Sequence, residues 1–135
     1  MNKNVNIDLF QTVDFISHAG LPLKWKIECD ALSDDEWKTI AKMIREYEDQ
    51  NWSYAVGIPT GATRLGEILT TYGTGSVKDP VLIVDDVYTT GKSFIDFEAK
   101  HYADKKVIKW AVFARKPPTE NVKVLLQLPS KEKNV

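Results

Sequence analysis

At 135 residues the chain is long enough for one hydrophobic core and short for two domains, so residues 1–135 are expected to form one. Apolar residues at 43% and charged residues at 27% exclude a disordered chain, and a formal charge of -1 gives no general pull toward nucleic acid or an anionic membrane. With that balance of charge any anion site must be built locally, from backbone N–H groups and a few placed bases, and the single cysteine separately excludes an intrachain disulfide and a cysteine metal cluster.

The opening residues, Met1 to Asp8, lack the apolar run of a signal peptide, and no stretch approaches the length of a membrane span. A soluble, reducing, cytoplasmic setting is the expectation. The first thirty residues begin irregularly, with Phe10, Val13, Phe15 and Ile16 apolar and His18-Ala19-Gly20-Leu21-Pro22 reading as a turn. Trp25, Ile27 and Cys29 then alternate with Lys24, Lys26, Glu28 and Asp30, the period of a half-buried strand with one charged face. Trp25 and Trp37 are expected in the core.

Ser33-Asp34-Asp35-Glu36 reads as a capping box that opens a helix, with Trp37, Ile40, Ala41, Ile44 and Tyr47 on its apolar face and Asn51 as its stop. Tyr54 to Ile58 is a short buried strand ending at Pro59. Thr60-Gly61-Ala62 opens a second helix that turns Leu65, Ile68, Leu69 and Tyr72 inward, and Gly73-Thr74-Gly75-Ser76 breaks it. Val81-Leu82-Ile83-Val84 is a continuous apolar run, the mark of a parallel strand buried on both faces. A third helix, Phe94 to about Tyr102, directs Phe94, Ile95 and Phe97 inward. Strands at 107–113 and 122–128 follow, and residues 130–135 read as a frayed tail. This alternation predicts an α/β protein, a mostly parallel twisted sheet flanked by helices, with ligands beyond the carboxyl ends of its strands.

Two loops fall at such ends, 57–61 and 85–93. In the second, Asp85 and Asp86 precede the turn Thr89-Thr90-Gly91-Lys92-Ser93. That turn leaves several N–H groups at a helix N-terminus beside three hydroxyls, a donor set suited to a phosphate dianion. The two carboxylates would accept hydrogen bonds from vicinal sugar hydroxyls and stabilise positive charge on a ribose ring. One ligand, a phosphorylated ribose, accounts for both halves. Gly91-Lys92-Ser93 matches the end of a Walker A loop, but that motif needs glycine where Asp86 stands. A plain helix cap is the bland alternative, and the strand-turn-helix context argues against it.

The segment Val81-Leu-Ile-Val-Asp-Asp-Val-Tyr-Thr-Thr-Gly-Lys-Ser93 resembles the 5-phosphoribosyl-1-pyrophosphate (PRPP) signature of type I phosphoribosyltransferases at nearly every defining position. The resemblance implies that Asp85 and Asp86 are catalytic and hold the ribose hydroxyls, while Val87, Tyr88, Thr89, Thr90, Gly91, Lys92 and Ser93 hold the 5-phosphate. Outside the signature the chain looks most like orotate phosphoribosyltransferase. Ala55 to Ala62 occupies the place of that family's pyrophosphate loop, which implies pyrophosphate contacts from Pro59, Thr60, Gly61, Ala62 and Arg64. Val112-Phe113-Ala114-Arg115 resembles the strand end whose arginine contacts the orotate carboxylate, so Arg115 is assigned to the base with Lys24 and His18. The implied partners are PRPP, a nucleobase, pyrophosphate and a second copy of the chain, with no nucleic acid or membrane. The implied cofactor is Mg²⁺, carried by PRPP with Asp85 and Asp86 able to contribute and no complete metal site from protein alone.

The resemblance also has gaps. The family places a lysine and a serine where His18 and Ala19 stand, and a lysine in the pyrophosphate loop where Gly61 stands. It also carries a long mobile basic loop ahead of the PRPP signature, where this chain has only Gly73 to Pro80. The fold expected is therefore a short form with a reduced hood. Slow turnover, or a regulatory protein that binds PRPP or a nucleotide without turnover, is the rival reading. A nucleic-acid regulator ranks last, for want of a basic stripe or helix-turn-helix pattern.

Overall fold

The computed structural model describes residues 8–16, 22–119 and 121–129, and within them the side chains of all but 13–16 and 22–24. His18, most of the expected turn around it, the side chain of Lys24 and the expected tail at 130–135 lie outside that description. Among the described residues no helix is long and apolar enough to cross a membrane.

Two sheets form. The first pairs β1 (Phe10–Ile16) with β2 (Pro22–Ile27) antiparallel, with an irregular register between Thr12 and Phe15. β1 corrects the irregular start expected from sequence: its apolar residues do not alternate cleanly, and the ladder absorbs this at the register shift. A 3₁₀ turn, Cys29–Ala31, leads to α1 (Asp34–Tyr47). The capping box is formed, Ser33 N–H donating to Glu36 Oε1 at 2.8 Å and Glu36 N–H to Ser33 Oγ at 3.1 Å, which satisfies two orphan donors of the first turn. Trp37, Ile40, Ala41 and Ile44 are buried as expected, whereas Tyr47 is 64% exposed because the helix ends there, before Asn51.

The second sheet is parallel throughout, in the order β3 (Ala55–Gly57), β4 (Val81–Tyr88), β5 (Val107–Ala114), β6 (Val122–Gln127). Helix α2 (Thr63–Thr70) joins β3 to β4, and α3 (Lys92–His101) joins β4 to β5. β4 thus lies between two strands, which is why Val81 to Val84 can be uniformly apolar. Leu82 and Val84 pack with α1 and α2 on one face, and Val81 and Ile83 with Phe94 of α3 on the other. Ile95 departs from the expected inward set and is 45% exposed, one position around α3 from the buried Phe94.

Candidate functional site

The sequence suggests that β4 ends at Val84, yet the strand runs on to Tyr88 and carries both aspartates within it. Past the acids the face pattern reverses, with Val87 joining the α1–α2 cluster and Tyr88 the α3 cluster. The reversal coincides with two consecutive side-chain bonds. Asp86 N–H donates to Asp85 Oδ1 at 2.9 Å, and Val87 N–H to Asp86 Oδ1 at 2.8 Å. Asp85 is buried and Asp86 half-buried. Burial, and after it the Asp86 charge, push the Asp85 carboxyl well above its ordinary range.

Beyond Tyr88 the chain turns through Thr89 and Thr90 to Gly91, which caps α3 in the left-handed region at φ +84° with no side-chain cap. Glycine meets both demands of the position. It takes this φ without strain, and a Cβ here would lie 2.9 Å from the Tyr88 hydroxyl. Tyr88 itself does not offer that hydroxyl to a ligand. It accepts from Thr119 N–H at 2.9 Å and shares a bond with Thr119 Oγ1 at 2.9 Å, so the ring forms the floor beneath the turn. Lys92 N–H donates to Thr90 Oγ1 at 3.3 Å, and the Lys92 ammonium pairs along the helix with Asp96 at 2.5 Å. What the turn presents is therefore backbone N–H groups and the side chains of Thr89, Thr90 and Ser93, the last two exposed.

The turn after β3 lies directly against the acids. Ile58 N–H extends the ladder to Val84 O at 2.9 Å, the Pro59–Thr60 peptide is cis, and the chain folds back so that a Cβ on Gly61 would lie 2.2 Å from Asp86 Oδ2. The two predicted loops are thus brought together at Gly61 and Asp86. Two of the residues assigned to pyrophosphate are engaged within the fold. Ala62 N–H and Thr63 N–H are turned inward, to Ile58 O and Thr60 O at 3.2 Å each, so Ala62 offers no outward donor. Arg64, expected beside pyrophosphate, is held by Asp34 at 2.6 and 3.0 Å and by Glu67 at 3.3 Å, because α2 packs beside the acidic first turn of α1. The connection from α2 to β4 is likewise tied down: Thr74 and Gly75 N–H donate to Trp52 O and Ser53 O, and Thr74 Oγ1 to Asp79 at 2.5 Å.

Arg115 follows β5, its N–H bonded to Tyr88 O at 3.0 Å, so it stands beside the end of β4. Its guanidinium lies 3.5 Å over the Trp25 ring and donates to the Trp25 carbonyl. Burial lowers its pKa from the ordinary value. Trp25, read from alternation as core, is 40% exposed, because the face it occupies on β2 is covered by Arg115 rather than by apolar side chains. Lys26 pairs with Glu28 at 3.1 Å. Sequence reasoning missed three contributors, namely Trp25, Thr119 under Tyr88, and Cys29. The last is buried, and burial, then the negative charges of Asp86, Glu28 and Asp85, push its thiol far above the usual range. Only the aromatic character of Trp25 near Lys24 and Lys26 could have signalled any of them.

Among the described residues no three His, Cys, Asp or Glu side chains come together as a metal site. Asp85 and Asp86 offer hard oxygen donors of the kind Mg²⁺ takes, and two carboxylates do not by themselves complete its shell.

No protein-family model matches the chain, and no curated protein does. Solved structures do match. The UMP synthase of Leishmania donovani superimposes with a TM-score of 0.71 at 13% identity, over 89% of this chain and 34% of that one. Orotate phosphoribosyltransferase from Aeropyrum pernix gives 0.67 at 18% identity, over 89% of this chain and 88% of that one. The Francisella tularensis orotate phosphoribosyltransferase gives 0.58 at 13% identity, over 88% and 80%. The fold is that of the type I phosphoribosyltransferases. This chain spans about a third of the UMP synthase and most of the two orotate enzymes. On the phosphoribosyltransferase fold, the acids of β4, the Gly91 turn and the Gly61 turn all occupy the carboxyl end of the parallel sheet, where such sheets bind ligands.

Proposed function

We propose that the protein transfers a 5-phosphoribosyl group from PRPP to a ring nitrogen of an acidic, orotate-like pyrimidine and releases pyrophosphate. The observation that carries this reading is the position of Asp85 and Asp86, between an amide-lined turn at Gly91 and a second turn whose Gly61 touches Asp86. In the reaction the C1–O bond to pyrophosphate breaks with its electron pair leaving on oxygen. The C1–N bond forms, and the ring N–H proton of the base passes to the departing pyrophosphate or to solvent. The backbone N–H groups at the start of α3, with Thr89, Thr90 and Ser93, hold the 5-phosphate. Asp85 and Asp86 orient the ribose hydroxyls and stabilise positive charge as the ring becomes cationic. They are also the residues that would hold Mg²⁺, which when bound with the diphosphate supplies positive charge to the leaving group. Pro59, Thr60 and Gly61 receive pyrophosphate, and Arg115 on Trp25 faces the acidic base, with His18 and Lys24 assigned beside it. A second copy of the chain would supply further cations, and a cytoplasmic setting suits these substrates.

One observation favours a second reading, binding without turnover. The Gly61 turn has spent the N–H groups of Ala62 and Thr63 internally, and Arg64 is occupied, so little positive charge awaits the leaving group. Calorimetric titration of Mg²⁺-PRPP into the wild type and an Asp85→Asn, Asp86→Asn double variant tests the common part. Loss of two charge-assisted contacts should weaken binding about 100-fold; equal binding would remove the acids from the site. Pyrophosphate release over a panel of bases separates the two readings, since tight PRPP binding with no release selects the second.

A further inference from the structure

The amino ends of the parallel strands hold a different hollow, which the reading above does not use. It has a volume of about 590 Å³ and is lined by Lys78, Lys105, Lys106 and Lys109, with Glu98 the only carboxylate among the described residues that line it. Lys109 neutralises that carboxylate at 2.6 Å. Lys78, Lys105 and Lys106 are exposed and, among the described residues, form no ion pair. A protein of net charge -1 has thus gathered, along the wall of the larger cavity, three lysines that make no ion pair among the described residues, and their fields add there. Their backbone positions are fixed, with Lys105 N–H on Tyr102 O at 3.1 Å and Val81 N–H on Lys106 O at 3.0 Å. A smaller cavity of about 340 Å³ shares all three lysines and is walled by Tyr54, Asp79 and Asp104. Asp79 accepts from Thr74 Oγ1 and keeps its charge, so Asp79 and Asp104 offset part of the lysine charge at this smaller cavity and leave the larger one the more positive.

We infer that this end of the sheet is a second anion site, which takes a ligand with two or more linked phosphates. The hollow is open and polar, and three lysines that make no ion pair along its wall match a polyanion rather than a single phosphate. Tyr54, 38% exposed, gives the smaller cavity a surface on which a nucleoside base attached to those phosphates can lie. The eight residues of β4, roughly 26 Å at the rise of an extended strand, separate this site from the Gly91 turn. The two sites do not overlap, and this inference stands whether or not PRPP is the ligand at the other.

The test is calorimetric titration of the full chain at low salt with tripolyphosphate and, separately, with ATP, both without Mg²⁺. A Lys105→Ala, Lys106→Ala variant is titrated in parallel, after circular dichroism and the thermal midpoint show that it folds. Both ligands should bind the wild type, and the double change should weaken each at least about tenfold. ATP binding more tightly than tripolyphosphate would place the base on Tyr54, and equal affinities would assign the site to the phosphate chain alone. Absence of binding at millimolar ligand, or binding unaltered by the lysine changes, would overturn the inference.

Discussion

Two carboxylates in this protein are equally hidden from solvent, each with 7% of its residue surface exposed, and they are treated in opposite ways. Glu48, just past α1, receives Trp110 Nε1 at 2.8 Å, the Lys123 ammonium at 2.7 Å and Gln50 N–H at 2.9 Å. Burial pushes its carboxyl upward, but Lys123, Gln50 and Trp110 together outweigh burial and leave it below the ordinary value. Asp85 receives one backbone N–H, from Asp86, and has a second carboxylate as its neighbour. An ionised acid buried with so few donors is costly, and folding alone gives no reason to keep it. The difference distinguishes an acid that ties α1 to β5 and β6 from one that, among the described residues, is bonded only to its neighbour Asp86.

The largest expected effect breaks the comparison at Glu48. Glu48→Ala leaves Trp110 Nε1 buried without an acceptor and removes the partner of Lys123. Urea denaturation should show a loss of about 1–3 kcal/mol, with PRPP affinity unchanged. Asp85→Asn should act in the reverse sense. It keeps an oxygen for Asp86 N–H and abolishes the buried charge, so stability near neutral pH should rise by about 0.5–2 kcal/mol while PRPP binding falls. A fall in stability instead would mean that Asp85 is held by donors as Glu48 is.

The two acids also predict opposite slopes with pH. The folded-state pKa of Asp85 is raised, so above the ordinary aspartate value the folded chain holds a proton that the unfolded chain has lost. Stability from this group therefore falls as pH rises from that value toward the raised one. Glu48 is depressed, so its contribution is present above the unfolded value and is lost as pH falls through the folded one. Urea midpoints measured from acid to neutral pH should flatten on the upper side in Asp85→Asn and on the acid side in Glu48→Gln.

Neither environment was legible in the sequence. The features that could be read were those fixed by neighbours along the chain. Ser33 and Glu36 cap α1 because they are three residues apart, and Val81 to Val84 is apolar because both faces of β4 are covered. The Gly91 turn follows from a strand running into a helix. What escaped was decided by residues far apart in sequence. Glu48 meets Lys123 across 75 positions, Arg115 meets Trp25 across 90, and Arg64 meets Asp34 across 30. Charge type marks such residues as able to pair, but only the packing of α1 on α2, or of β5 beside β2, selects the partner. Trp25 was misread for the same reason, since alternation gives its face and not what covers it.

That last kind of contact yields the smallest expected effect, and one that bears directly on turnover. Asp34 lies at the start of α1, where its exposed carboxylate holds Arg64 with two bonds and also pairs with Lys38 at 3.5 Å. Arg64 draws the Asp34 carboxyl down to about 2, well below the ordinary aspartate value. Exposed pairs of this kind contribute little to folding, so Asp34→Asn should scarcely move the thermal midpoint. It would, however, release one side of the guanidinium one helical step from Thr63, beside a turn that now has few cations to offer. Pyrophosphate should then bind several-fold more tightly, and any slow PRPP turnover should quicken. Unchanged pyrophosphate affinity in Asp34→Asn would show that Arg64 cannot reach the turn even when released, and that the leaving group must find its positive charge elsewhere.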